Sequence, residues 1–182
     1  DTARPVSPDM RHRVGSISKT FVAAAVLQQV EAGVIGLDVP IAHYLPQLLP
    51  EQQAAAITVR MLLGHTSGLA DYLPYAYPSL RAFPALAVTT AQSLEDLQFT
   101  RFHPTELIAM GVAAPAVAAP GGRPGIYSNT NYLLLDQLLG RVCGINAEQY
   151  ITKHVIERAG LRDTWFPAGA HIGGSHSRMY EA

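Results

Sequence analysis

The sequence has 182 residues, 48% of them apolar and 15% charged, which is enough apolar material for one domain with a sizeable core. A formal net charge of -1, with no lysine- or arginine-rich run, excludes an electrostatic case for nucleic acid or an anionic membrane as partner. The single cysteine, Cys143, excludes an internal disulfide and a cysteine-built zinc site, and no apolar run reaches the roughly 18 residues of a membrane span.

The opening stretch "DTARPVSPDM" reads as loop, with Pro5, Ser7, Pro8 and Asp9 as turn formers, and it lacks the basic-then-apolar layout of a signal peptide. From Ser18 to Ala32 alanines and unbranched side chains predict a helix that Gly33 stops. Its apolar residues leave only Gln28, Gln29 and Glu31 as a narrow polar face, so a buried central helix is expected. "GLDVPIAHYLPQLLP" reads as a compact loop with one helical turn. Thr58 is placed to cap a short helix, Val59 to Gly64, that runs into "HTSG".

Ala70 to Thr90 interleaves aromatics and prolines and is expected to be mostly irregular. In "HPTELIAMGVAA", Pro104 and Glu106 mark a helix start, and "APAVAAPGGRPG" reads as a loop. Asn131 to Val142 and Asn146 to Arg158 are two further helices, the second with a capping-box pattern at Asn146 and Gln149 and with Gly160 at its close. Strand signals are poor, with no long alternating run and no hairpin dipeptide. Loops this long usually line a site.

Chemistry concentrates in two places. In "HRVGSISKTF", Ser16 and Lys19 are three apart, so on a helix they share one face. A serine hydroxyl becomes nucleophilic when a base takes its proton, and a lysine serves as that base only where its charged form is disfavoured. The apolar run behind Lys19 supplies desolvation, and the helix N-terminus at Ser16 favours developing negative charge. The same pair also fits a solvated cap serine beside a snorkelling lysine. In "GIYSNTNY", Tyr127 offers a hydroxyl able to shuttle a proton and Asn129 an amide able to hold a carbonyl. The pair also fits a packed tyrosine and an N-cap asparagine at a helix start.

Together these stretches resemble the serine penicillin-recognising hydrolases: D-alanyl-D-alanine carboxypeptidases, class C β-lactamases, and related esterases and D-aminopeptidases. The S-x-x-K box is Ser16-Ile17-Ser18-Lys19 and the Y-x-N box is Tyr127-Ser128-Asn129. "LDVPIAHYLPQLLP", "ITVRMLLGHTSGLADY" and "YITKHVIERAGLRDTWFP" resemble the family's connecting segments, so the likeness runs from about Pro5 to Pro167.

The resemblance implies an α+β, β-lactamase/transpeptidase-like fold, of which this chain holds mainly the helical domain and the nucleophile helix, with most of the antiparallel sheet missing. Residues 1–182 would form a partial serine hydrolase domain: 1–33 the approach and nucleophile helix, 34–182 a mainly helical domain carrying the Y-x-N box. It implies that Ser16 forms an acyl-enzyme and that Lys19 and Tyr127 manage the proton. Tyr127 would be the favoured base and the later activator of water. Asn129 would bind the substrate amide or the Lys19 ammonium, and the Ser16 N–H would be one oxyanion donor.

The implied substrate is a D-Ala-D-Ala peptide, a β-lactam, an ester or a D-amino-acid amide, with the carboxypeptidase and esterase branch favoured. No cofactor is implied. A companion segment or chain would carry the sheet. The location is extracytoplasmic for a wall-peptide enzyme and cytoplasmic for an esterase. The competing readings are a non-catalytic penicillin-binding-like scaffold and a segment inactive without its sheet.

The chain departs from the family at its third box. "HIG", His171 to Gly173, is the one candidate, and it arrives too early and in a glycine-rich context. His12 stands where an apolar aromatic is usual, and "PGGRPGI" approaches Tyr127 by about one residue more than usual. His65 is read as a hydrogen-bonded turn histidine. His171, His176 and Asp163 match no compact metal motif. Cys143 reads as a buried small hydrophobe and Trp165 and Phe166 as packing residues, while Tyr72, Tyr75 and Tyr77 fit a cleft wall or a packed loop equally.

Overall fold

Gly33 ends the first helix where its left-handed φ of 73° breaks the repeat, and helix α1 spans Ser18–Glu31. A 3-10 turn, Gly15–Ile17, leads into it. The computed structural model describes residues 7–77, 100–169 and 172–176. A second 3-10 turn, Ile41–His43, supplies the helical turn expected after α1 and buries Ile41 completely. Helix α2, Glu51–Ala56, follows Pro50 in "EQQAAA" and was not anticipated. The Thr58 hydroxyl caps α3, Val59–Leu63, by accepting the Met61 N–H at 3.3 Å.

Helix α4, Leu73–Ala76, is a short ordered turn inside the stretch expected to be irregular, whose residues beyond 77 lie outside the described ones. In α5, Pro104–Ala113, the Glu106 carboxylate accepts the His103 N–H at 2.7 Å, so the start lies where Pro104 and Glu106 predict it. Helix α6 runs Asn129–Cys143, two residues earlier than expected, and ends at Gly144 in the left-handed region. The helix predicted from Asn146 is α7, Ala147–Ile151, continued by a π-helical turn, Thr152–Ile156. Asn146 caps it through the Glu148 N–H at 2.7 Å. Among the described residues there is no strand ladder. Two isolated bridges occur, Arg11 with His176 and Pro40 with Thr58. No helix among the described residues is long and apolar enough to cross a membrane.

The central helix is α6, not α1. Leu134, Leu135, Leu138 and Leu139 are all fully buried, and α6 packs against α1, α3, α5 and α7. Val26 of α1, Ile41, Leu45, Ile57, Val59, Leu62 and Ile108 complete the main core, while Ala25, Leu139, Ala147, Tyr150, Ile151 and Ile156 form a second cluster. In α1 only Ala25 and Val26 are buried, whereas Leu27 is 48% exposed and Ile17, just before the helix, 60%. Its glutamines turn inward instead. Gln28 Nε2 donates to the His154 carbonyl at 3.0 Å, and Gln29 Nε2 donates to the Tyr150 hydroxyl at 2.7 Å. Composition showed that α1 is apolar nearly all round. It did not show which side would find partners, and the two glutamines found hydrogen bonds on α7 and the π-helical turn after it.

α5 and α6 touch at Gly111, where a Cβ would run into the Thr130 side chain. Thr130 is fully buried and its hydroxyl donates to the Ala70 carbonyl at 2.7 Å, so it has no room to yield. Gly111→Val is expected to destabilise the fold by about 1–3 kcal/mol through overpacking, read as a lower urea midpoint at unchanged slope.

Candidate active site

Gly15, at φ 51°, turns the chain into the 3-10 turn that carries Ser16 onto the same face as Lys19 of α1. Lys19 Nζ donates to Ser16 Oγ at 3.0 Å. From the other side of the chain, the Tyr127 hydroxyl lies 2.8 Å from Ser16 Oγ. Lys19 Nζ also donates to Asn129 Oδ1 at 2.6 Å, and the Tyr127 hydroxyl is 3.4 Å from that same oxygen. The ammonium stands 4.9 Å from the Tyr127 ring centre and 5.7 Å from that of Tyr132, within cation–π range of both. The structure therefore brings together all four residues singled out from sequence, Ser16, Lys19, Tyr127 and Asn129. Ser16 is exposed, so its hydroxyl is open to a ligand.

Extended backbone at Ser128 (φ -146°, ψ 124°) sends neighbouring side chains to opposite sides. Tyr127 and Asn129 reach Ser16 and Lys19, while Ser128, Thr130 and Asn131 are fully buried against residues 65–72. There the Ser128 hydroxyl donates to the Ala70 carbonyl at 3.0 Å, as Thr130 does, and the Thr130 oxygen accepts the Tyr72 N–H at 3.1 Å. Ser67 donates to Asn131 Oδ1 at 2.6 Å. The Tyr132 hydroxyl donates to the Leu63 carbonyl at 3.1 Å.

Two residues of "HTSGLADY" matter more than the sequence suggested. His65 adopts a left-handed φ of 54°, a region in which histidine is enriched among non-glycine residues. Its ring packs on Tyr127 at 4.4 Å between centres with 30° between planes. Its Nδ1 accepts the Ser128 N–H at 3.2 Å and lies 3.2 Å from the Asn131 amide nitrogen. It is a hydrogen-bonded turn histidine, as expected, and also the surface against which Tyr127 rests. Asp71 was missed. One carboxylate oxygen accepts from Asn129 Nδ2 at 2.8 Å and the other accepts the Leu73 N–H at 3.0 Å. The available signal was its position inside a stretch that already resembled the family.

The remaining candidates lie apart from this cluster. His171 is outside the described residues, and the Gly173 carbonyl of the same "HIG" stretch accepts from Arg11 Nη1 at 2.6 Å. His176 Nδ1 contacts the Gly174 carbonyl at 2.9 Å. Trp165 is 46% exposed with the Arg11 guanidinium 4.8 Å above its ring, while Phe166 packs on the second apolar cluster. Cys143 is half-buried, and burial pushes its thiol above the ordinary value. Tyr77 meets Phe102 edge-on at 6.0 Å, and burial followed by the Asp71 charge pushes the Tyr72 hydroxyl up.

Burial, and after it the Lys19 charge, holds the His65 imidazole below its usual range. The neutral ring is the form that accepts the Ser128 N–H at Nδ1. Because the folded state resists protonation, stability is full above the unfolded pKa of about 6.5 and falls as pH drops below it towards the lower folded value. The urea midpoint of the protein is expected to fall between pH 7.5 and pH 5.5, and the fall is expected to shrink in His65→Gln.

The Beta-lactamase family model matches residues 1–181. The chain is 30% identical to "Esterase EstB" of Burkholderia gladioli over 173 residues, covering 91% of this chain and 41% of that protein. It is 26% identical to "Penicillin-binding protein 4*" of Bacillus subtilis over 161 residues, covering 88% of this chain and 32% of the relative. Among solved structures it superposes on a D-stereospecific amidohydrolase from Streptomyces sp. with a TM-score of 0.73 at 32% identity, covering 86% of this chain and 44% of that one. It superposes on the D-amino acid amidase from Ochrobactrum anthropi SV3 with a TM-score of 0.68 at 25% identity, covering 88% and 40%. The chain thus spans less than half the length of these relatives. A polar cluster assembled from an S-x-x-K turn and a Y-x-N strip, within a fold shared across nearly the whole chain, places this protein in the beta-lactamase family, with its β-lactamase/transpeptidase-like fold.

Proposed function

We propose that the protein is a serine hydrolase whose nucleophile is Ser16 and whose acyl-enzyme forms on an ester or amide carbonyl. The observation that carries this reading is the convergence on Ser16 Oγ of Lys19 Nζ at 3.0 Å and the Tyr127 hydroxyl at 2.8 Å. Hydroxyl protons rotate, so the contact between Tyr127 and Ser16 serves proton transfer in either direction. Ser16 Oγ attacks the carbonyl carbon as its proton passes to the Tyr127 oxygen, which takes part as the phenolate with the Lys19 ammonium beside its ring. The Ser16 N–H stabilises the resulting oxyanion, and the proton then goes to the departing alcohol or amine. Water, relieved of a proton by Tyr127, cleaves the acyl-enzyme, and Ser16 recovers its proton. Asn129, through Oδ1, holds the Lys19 ammonium beside this path.

The substrate class is that of the carboxypeptidase-like and esterase-like branch. Relatives described as an esterase, a D-stereospecific amidohydrolase and a D-amino acid amidase support an ester or a D-configured amide as the natural substrate. A wall-peptide substrate goes with an extracytoplasmic location. We infer further that a companion segment carrying a sheet completes the site, which is supported by the exposed apolar side chains of Ile17 in the 3-10 turn and Leu27 in α1.

A fluorophosphonate probe is expected to label the protein at Ser16 and to lose that label in Ser16→Ala, while equal labelling of the two would refute the nucleophile. Lys19→Ala and Tyr127→Phe are expected to slow labelling and p-nitrophenyl ester turnover by about 10²–10⁴-fold, the range for a lost acid–base group. Turnover of D-phenylalanine amide or of the ester without labelling by a fluorescent penicillin would exclude the carboxypeptidase branch.

A further inference from the structure

The amide of Asn129 has two ends alike in shape and opposite in hydrogen-bond character. Its oxygen attracts an ammonium and its NH2 repels one, so the end that faces Lys19 decides whether that contact holds. In the structure Oδ1 is 2.6 Å from Lys19 Nζ, and Nδ2 is 2.8 Å from Asp71 Oδ2. A carboxylate only accepts, so the Asp71 side takes the NH2 end alone. Its second oxygen is committed to the Leu73 N–H at 3.0 Å.

Asp71 is itself held on both flanks. The Ala70 carbonyl accepts from the Ser128 and Thr130 hydroxyls at 3.0 and 2.7 Å, and the Tyr72 N–H donates to Thr130 Oγ1 at 3.1 Å. The carboxylate is therefore pinned to the same strip whose amide it orients.

We propose that Asp71 is a positioning residue that locks the Asn129 amide with its oxygen towards Lys19, and thereby holds the Lys19 ammonium against Ser16. The proposal rests on the serine hydrolase reading above. Asp71 does not touch Ser16, and it acts through Asn129 and Lys19. If Asp71 served only the turn at Leu73, Asn129 would be indifferent to its charge.

Asp71→Asn separates the two roles. It keeps the shape and an acceptor for the Leu73 N–H, yet it turns an NH2 group towards Asn129. The Asn129 amide must then flip and present its own NH2 to Lys19, or two donors face each other. The rate of Ser16 labelling by the fluorophosphonate and kcat for a p-nitrophenyl ester are expected to fall about ten- to a hundredfold, the worth of a hydrogen bond to a charged group, with KM little changed. Asn129→Asp alone sets carboxylate against carboxylate and is expected to fall as well.

The double variant Asp71→Asn with Asn129→Asp exchanges the partners. It again places an oxygen at Lys19 and a donor–acceptor pair between the two positions, and is expected to recover about tenfold over the slower single variant, a coupling of the size seen between contacting residues. Wild-type kcat in Asp71→Asn, or a double variant no faster than the slower single one, would overturn the proposal. The side-chain amide resonance of Asn129 reads the contact without activity. It is expected to shift in Asp71→Asn and an unmoved resonance overturns the contact, whereas an unlabelled Ser16 in the wild type refutes the nucleophile instead.

Discussion

Residues 65–73 and 127–132 are laced together by hydrogen bonds that cross roughly sixty positions of sequence, and the site hangs from that lacing. His65 takes the Ser128 N–H, Ser67 reaches Asn131, Ala70 receives the hydroxyls of Ser128 and Thr130, and Asp71 holds Asn129. Ser128, Thr130 and Asn131 are completely buried, and buried polar groups left unpaired would cost on the order of 1–3 kcal/mol each. The facing loop supplies their partners, so burial of the strip and order in the loop come together. Extended backbone at Ser128 turns this into geometry. With its alternate residues anchored, the strip has little freedom to move Tyr127 or Asn129 away from Ser16 and Lys19.

Lys19 joins the two halves of the site. It is the residue that meets Ser16 within its own helix turn and Asn129 across 110 positions, with tyrosine faces beside it. The 3-10 turn and α1 provide the first half through local geometry alone. The second half depends on α6, whose buried leucines tie it to α1, α3 and α5 and so fix the distance between the Ser16 turn and the Y-x-N strip. Close approach at Gly111 lets α5 sit against Thr130, which links core packing directly to the loop that carries Asp71.

Much of the helical layout was legible because it rests on short-range rules. Gly33 stops a helix by adopting positive φ, Thr58 caps through a neighbouring N–H, and Pro104 with Glu106 marks a start. The misses have a common cause. α2 and α4 are too short for periodicity to register, and the π-helical turn after Ile151 widens a helix in a way that side-chain spacing does not reveal. The burial of α1 was misread because apolar content says how much surface wants covering and not which side is covered. Gln28 and Gln29, expected to mark the outer face, are held by Tyr150 and His154.

The sequence by itself determined the chemistry on offer: a serine and a lysine one helical turn apart, a tyrosine and an asparagine on alternate positions, and a match of the surrounding stretches to one family. Those features depend on local spacing, which the chain carries wherever it goes. Only the tertiary structure decided that the two boxes meet at 2.6 and 2.8 Å, that His65 lies against Tyr127, and that Asp71 selects the end of Asn129 that Lys19 sees. Hydrogen bonds between residues so far apart in sequence follow from how α1 and α6 pack, and no residue pattern along the chain states a distance across it.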